Sequence, residues 1–350
     1  MIQLNMVFVS QRLLMISNLI QKKRMNPMND LDIIHSLKKY THIAIAAHIS
    51  PDGDAIGACV ALALALVKMN KKPVILMDEY PEKYNFLPGR QYIYNTYPNH
   101  VPLELFVALD CGDLQRLGKY IDDFEKAPLS LNIDHHISNP HYGDFSYVDP
   151  EASSTCEIIY KIIKEAEVPI DDEIATSLYT GIAFDTGGFK HSSTTSFTHQ
   201  IISDLIKYNI DFTDILDKLF YSRSLESAKL LGYALYKMET LNDKQLCICD
   251  LSTKEMEELG ASANDTEGII SFMKNIDGVL VAVLLYEKNA NEIKVSFRAS
   301  GDKDVCRIAQ FFQGGGHKKA AGCTLHTDLK DAKTKILDTV QKELFREKSN

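Results

Sequence analysis

No stretch of this 350-residue chain is both long and apolar enough to span a bilayer as a helix. The longest apolar run, 58–67, is about half of the roughly 20 residues such a helix needs, so no membrane contact is expected. An excess of positive charge is also missing. Thirty-eight Lys and Arg face 47 Asp and Glu, for a net charge of −9. That excludes a general binder of long duplex nucleic acid, which needs a broad basic face. It leaves a small anionic substrate open. The seven cysteines (Cys59, Cys111, Cys156, Cys247, Cys249, Cys306 and Cys323) are odd in number and form no CxxC pair. A disulfide framework and a structural zinc site are therefore both disfavoured, and a reducing cytoplasm is the expected compartment. Internal repeats and low-complexity tracts are absent too.

What is present is the composition of an ordinary globular protein, 45% hydrophobic and 24% charged, long enough for two domains. Residues 4–20 are fairly apolar, but Ser10, Gln11 and Arg12 interrupt them. Lys22, Lys23 and Arg24 follow that stretch, whereas a signal peptide carries its charges in front. Residues 1–28 are read as an extension, disordered or arising from a mis-assigned start, with Met25 or Met28 as the true start. The alternative is a short extra helix.

From Asp30 onward the pattern is regular. A helix is predicted over 31–40, with Asn29 and Asp30 ahead of it to cap. Strands are predicted at 42–47, 73–77, 105–109 and 129–133, and a buried helix at 53–70. This alternation predicts a mostly parallel sheet with helices on both faces. Residues 153–240 read as helical, with clear periodicity at 171–183, 195–208 and 224–240. Beyond 241–243 the texture changes. Strands are expected at 245–250, 278–286 and 292–299, the last two joined by a turn at 287–291. Helices at 304–312 and 329–346 follow, separated by a loop at Gly314, Gly315 and Gly316. The expected domains are 29–225 and a smaller α/β domain at 226–350, with a cleft between.

Four acidic clusters fall at or near the ends of apolar segments, where parallel sheets gather their ligands. The first is His48-Ile49-Ser50-Pro51-Asp52-Gly53-Asp54. Capping of the next helix explains one of its Asp residues, not a His and two Asp. The second is Asp110-Cys111-Gly112-Asp113, and the third Asp134-His135-His136. The fourth is Asp185, which breaks an apolar helix end. Six candidate ligands result: His48, Asp52, Asp54, Asp110, His135 and Asp185. Four carboxylates and two imidazoles exceed one catalytic metal and suit two that share a carboxylate, with manganese favoured by the oxygen-rich set. Paired metals are the usual apparatus of phosphoester hydrolysis, generating hydroxide and clamping phosphoryl charge.

These blocks, in this order, resemble the DHH phosphoesterase superfamily from Asp30 to the C-terminus. His48-x-x-x-Asp52-x-Asp54 is similar to its first motif, Asp110 to its second, Asp134-His135-His136 to its third and Asp185 to its fourth. Gly314-Gly315-Gly316-His317-Lys318-Lys319-Ala320-Ala321-Gly322 resembles the glycine-rich motif of the accessory DHHA1 domain. By length and motif the chain looks most like the bacterial nanoRNases, which degrade short oligoribonucleotides and dephosphorylate adenosine 3′,5′-bisphosphate. Relatives that hydrolyse cyclic di-AMP or linear di-adenylate offer an alternative, and a non-catalytic nucleotide sensor a further one.

The resemblance implies two Mn2+, with other divalent metals as the alternative. His48, Asp52 and Asp110 would hold one; Asp54, Asp110, His135 and Asp185 would hold the other, with Asp110 bridging. Asp134 would orient a histidine, and His136 would face the scissile phosphate as a donor or acid. Arg298, Gly314, Gly315, Gly316 and His317 would bind a short RNA, a dinucleotide or a nucleoside bisphosphate. The family also suggests a homodimer. Two departures stand out: Gln313 replaces a fourth glycine, and Phe184 replaces a threonine. Related pyrophosphatases carry a different C-terminal domain, and single-strand DNA exonucleases of the superfamily carry additional ones.

Overall fold

A computed structural model describes residues 26–27, 30–78 and 80–345. It divides into two compact units, the first ending at Ser222 and the second beginning at Arg223. No helix among the described residues is long and apolar enough to cross a membrane.

The first unit is built on strands β1 (Asn26–Pro27), β2 (His42–Ala46), β3 (Lys72–Leu76), β4 (Ile93–Tyr94), β5 (Leu105–Leu109), β6 (Ser130–Asp134) and β7 (Phe145–Val148). Their order in the sheet is β1-β7-β6-β5-β2-β3-β4. Every pairing is parallel, so the sheet is wholly rather than mostly so. β5 and β6 are buried along their whole length, as expected of parallel strands covered on both faces. Alternate residues enter two separate cores. Ile43 and Ile45 join the larger one, while Ala44 and Ala46 join a smaller one with Phe106, Leu117, Tyr120 and Phe124.

The larger face carries helices α1 (Asp30–Lys39), α2 (Gly53–Lys68), α4 (Thr155–Glu165), α5 (Asp172–Asp185) and α6 (Ser196–Leu205), whereas α3 (Ile121–Lys126) lies on the smaller one. α2 is buried from Gly53 to Leu66, which explains why its sequence is apolar all round. It crosses α5 closely. A Cβ on Gly57 would sit 2.5 Å from the Ser177 carbonyl oxygen, so the crossing depends on glycine.

The strand β7 was not expected. It is short, only partly buried and lies next to the two-residue edge strand β1, so it lacks the continuous apolar run of its neighbours. Of the expected extension at 1–28, Asn26 and Pro27 pair with β7; the rest lies outside the described residues.

In the second unit, helix α8 (Leu225–Lys237) follows the short α7 (Phe212–Leu216) of the first. Strands β8 (Glu239–Leu241), β9 (Leu246–Leu251), β10 (Val281–Asn289), β11 (Glu292–Ala299), β12 (Gly315–His317) and β13 (Ala320–Leu325) form a mixed sheet of order β12-β13-β11-β10-β9-β8. Only β9 and β10 run parallel. Helices α9 (Thr253–Glu258), α10 (Ile269–Lys274), α11 (Val305–Phe311) and α12 (Leu329–Val340) complete it. The expectation for 314–316 is corrected here. The glycines are not a plain loop between helices: Gly315 and Gly316 lie in an edge strand hairpinned onto β13. Without side chains to bury, such a strand leaves no hydrophobic pattern to read.

Candidate metal centre

Chain order places β2 and β5 side by side, with β3 and β4 on one flank and β6 and β7 on the other. The carboxyl ends of strands at such a reversal form a crevice. His48 follows β2, Asp110 follows β5, and His135 and His136 follow β6. Helix α2 starts at the same place and brings Asp52 and Asp54; the end of α5 brings Asp185.

Three groups of ligand atoms lie within 4.8 Å of one another: His48 with Asp52 and Asp110, Asp54 with His135 and Asp185, and Asp110 with His135 and His136. Asp110 thus stands between the first two. One of its carboxylate oxygens is 3.6 Å from His48 Nε2 and the other 3.6 Å from His135 Nε2. His48 Nε2 is 3.7 Å from Asp52, and His135 Nε2 is 3.1 Å from Asp185. Most of these gaps are too long for hydrogen bonds. The His135–Asp185 gap equals an edge of a coordination polyhedron, about 3.0–3.4 Å for metal–ligand bonds of about 2.1 Å, and the other three are a few tenths of an ångström wider.

The imidazoles are oriented for this. His48 Nδ1 donates to the Ile49 carbonyl at 2.8 Å, and His135 Nδ1 to the Ala152 carbonyl at 3.4 Å. A carbonyl can only accept, so in each neutral ring the lone pair falls on Nε2, towards the carboxylates. Asp110 itself has φ of 51°, a left-handed conformation that Asp tolerates better than most residues. The Thr155 hydroxyl donates to Asp110 Oδ1 at 3.1 Å and pins it.

Two of the carboxylates have a second job. Asp52 caps α2: its Oδ1 accepts from the amides of Asp54 and Ala55 at 3.1 Å, leaving Oδ2 towards His48. Asp54 is fully buried and accepts from the Thr155 and Cys156 amides at 2.7 and 2.9 Å, at the N-terminus of α4. Gly181 makes room for it, since a Cβ there would come within 2.7 Å of Asp54 Oδ1.

The electrostatics ask for a cation. Burial pushes Asp54 well above the usual carboxylate range, and the charges of Asp110 and Asp185 push it further. Burial also raises Asp185, with the Asp110 charge adding to it against the opposing pull of His135. Burial alone would lower the two histidines, yet the facing carboxylates hold both up at about 10: Asp110 and Asp52 for His48, Asp185 and Asp54 for His135. Protons on imidazole here stand in for positive charge that a divalent metal would supply. The donor set, its spacing and this charge balance all fit such an ion.

His136 is more exposed and differently held. Its Nδ1 donates to Asp134 Oδ1 at 2.7 Å. Asp134 is fully buried. Burial would raise its pKa, but the bonds from His136 and Asn139 outweigh this and lower it. Asn139 also donates to Asn132 at 2.8 Å, and Asn132 donates to the Tyr142 hydroxyl at 3.1 Å. Sequence reasoning missed Thr155, Asn139, Asn132 and Tyr142. Two local signals existed: Asn132 interrupts the apolar run of β6, and Ser153-Ser154-Thr155 precedes an apolar helix.

Phe184 packs over the start of α2, where a Cβ on Gly53 would meet it at 2.7 Å.

Two of the substrate residues expected in the second unit, Arg298 and His317, share one face of its sheet. Arg298 pairs with Ala320, and Ala320 with His317. Directly paired residues point the same way, so Arg298 and His317 flank a small alanine about two strand spacings, or roughly 9.6 Å, apart. Gly316 has φ of 136°, and a Cβ on it would lie 2.5 Å from the Ala320 carbonyl. Gln313 has φ of 57°. A glycine takes that conformation without strain, which gives a physical reason for a glycine at the corresponding place in the motif.

Comparison with known proteins agrees with this architecture. Residues 42–182 match the family model for the DHH family, N-terminal domain, and residues 243–344 match the DHHA1 domain. The bifunctional oligoribonuclease and PAP phosphatase NrnA of Thermus thermophilus is 32% identical over 306 residues, 87% of this chain and 90% of that protein. Its namesake in Bacillus subtilis is 28% identical over 328 residues, 89% of this chain and 98% of that protein. Among solved structures, an exopolyphosphatase-related protein from Bacteroides fragilis superposes with a TM-score of 0.81 at 27% identity, covering 89% of this chain and 96% of the other.

Proposed function

Because the chain belongs to the DHH family and carries a DHHA1 domain, we propose that it is a metal-dependent phosphoesterase acting on short oligoribonucleotides and on adenosine 3′,5′-bisphosphate. The observation that carries this is Asp110, whose two oxygens each face an imidazole Nε2 in a separate group of candidate ligands. The two curated relatives compared above are both named as oligoribonuclease and PAP phosphatase, which favours this substrate pair over cyclic di-AMP or linear di-adenylate. Each expected ligand is present, which favours an enzyme over a nucleotide sensor.

In this reading His48, Asp52 and Asp110 hold one Mn2+, and Asp54, Asp110, His135 and Asp185 hold a second. When bound, such a pair activates water at neutral pH and neutralises charge on the phosphoryl oxygens. Thr155 and the amides of residues 155 and 156 keep the Asp110 and Asp54 carboxylates in position. His136 does a different task. Asp134 accepts its Nδ1 proton and raises its pKa, so Nε2 can hold a proton as well and give it to the leaving oxygen. Arg298 and His317 bind a phosphate of the substrate, and Gly314, Gly315 and Gly316 let backbone amides approach it.

The test is a kinetic panel with added manganese: a dinucleotide, longer oligoribonucleotides, duplex RNA, adenosine 3′,5′-bisphosphate and cyclic di-AMP. Turnover of the dinucleotide and the bisphosphate is expected, falling with RNA length and abolished by EDTA. Absence of metal-dependent turnover of both would overturn the reading.

A further inference from the structure

On the β3 side of the candidate metal centre, the first unit contains a cavity of about 380 Å³, within the usual range of small-molecule pockets, about 300–1,000 Å³. His48 lines it and also belongs to the metal-facing group with Asp52 and Asp110. Whatever fills the cavity therefore lies against that group. Leu76, Met77 and Leu117 give it a buried apolar wall. Beyond His48, whose Nε2 faces the carboxylates of Asp52 and Asp110, its charged members Asp78 and Lys119 form an ion pair and cancel. The rest of the cavity therefore has no net positive charge to hold a free phosphate.

Tyr120 supplies a second, independent sign. It lines the cavity and is 6% exposed, and its hydroxyl is buried with no hydrogen-bond partner. Buried hydroxyls are nearly always paired, so an unpaired one beside a cavity marks the place of a missing polar group. The lining suits a ligand that has an apolar surface, carries hydroxyl or amino groups, and is joined to a phosphate at the metal centre.

The geometry points to this cavity as a nucleoside subsite, which seats the sugar and base on one side of the scissile phosphate and bonds them through Tyr120. The assignment rests on the phosphoesterase reading and adds to it a specificity determinant in the first unit, apart from the glycine-rich motif. Asp78 offers an acceptor for an exocyclic amine, and the Leu76, Met77 and Leu117 wall offers a surface for the ring.

Two measurements test it. Tyr120→Phe removes only the hydroxyl and keeps the ring that the core needs. For a dinucleotide with manganese, KM is expected to rise at least fivefold with kcat within twofold of the parent. Met77→Trp, which fills the cavity, should raise KM at least tenfold. Separately, photolabelling of the manganese-loaded protein with 8-azidoadenosine 5′-monophosphate should mark peptides containing residues 76–78 or 117–120. An unchanged KM in Tyr120→Phe, or label confined to other peptides, overturns the subsite. Should the parent protein hydrolyse no dinucleotide, the phosphoesterase reading fails alone, and the labelling still decides the subsite.

Discussion

Asp134→Asn is the most informative single change at this site, because Asp134 touches His136 without being a candidate ligand. The carboxylate accepts from His136 Nδ1 on one oxygen and from Asn139 Nδ2 on the other. Asparagine has only one oxygen, so one of these two donors must face an amide NH2. If Asn139 keeps the oxygen, His136 loses a charge-assisted bond worth about 1.5–3 kcal/mol. If that bond matters only as the leaving oxygen takes its proton, kcat falls by about 10- to 150-fold. KM and manganese affinity should each move less than kcat, since the Asp134 side chain bonds His136 and Asn139 and none of the six candidate ligands. Stability should fall by about 1–3 kcal/mol from the unpaired buried donor. The assays are steady-state kinetics on a dinucleotide, manganese titration and thermal melting. A kcat within threefold of the parent, alongside the expected loss of stability, would refute the orienting role of Asp134 and leave it a purely structural residue.

Asp110→Ala should lose hydrolysis by about a thousandfold or more while retaining the far-ultraviolet circular dichroism of the parent, because Asp110 faces both ligand groups. Manganese should raise the melting temperature of the parent by relieving repulsion among Asp54, Asp110 and Asp185, and should raise that of Asp110→Ala markedly less; equal shifts in calorimetry would count against a shared carboxylate. Gly181→Ala gains helix propensity but sets a Cβ against Cys156 Sγ and 2.7 Å from Asp54 Oδ1, so a net loss of about 1–3 kcal/mol is expected in denaturant unfolding, and a stability equal to the parent's would show that α5 shifts freely. Glu255 in the second unit has its pKa lowered to about 2, because the bonds from Lys237, Tyr233 and Ser252 outweigh burial. Its folded pKa lies below the unfolded 4.5, so its contribution is complete above that value and is lost as pH falls through about 2. Glu255→Gln should therefore show a shallower decline of stability across that acid range, and an unaltered acid-unfolding profile would sink the assignment.

Much of this architecture is legible in the chain itself, for a local reason. In β2, β5 and β6 the apolar run and the polar cluster that ends it are contiguous, so strand, strand end and candidate ligand are read together. The same holds for Asp52, which sits where any N-cap would. The strand β7 and the hairpin at Gly315–His317 were not legible, because one is a short, partly exposed strand and the other is two glycines and a histidine, with no apolar alternation to read. The sharing of one face by Arg298 and His317 follows from strand register, which joins residues far apart in sequence.

The sequence by itself determined the family, the α/β class and six residues worth gathering. Only the tertiary structure decided how they meet. It set Asp110 between two imidazoles, sent both oxygens of Asp54 to the start of a helix a hundred residues later, and backed His136 with Asp134, Asn139, Asn132 and Tyr142. It also lined a cavity with Tyr120, whose buried hydroxyl has no partner. The physical reason is common to all four. A motif records which groups are present, but ligand spacing, proton position and an unmet hydrogen bond are properties of atoms brought together across the fold.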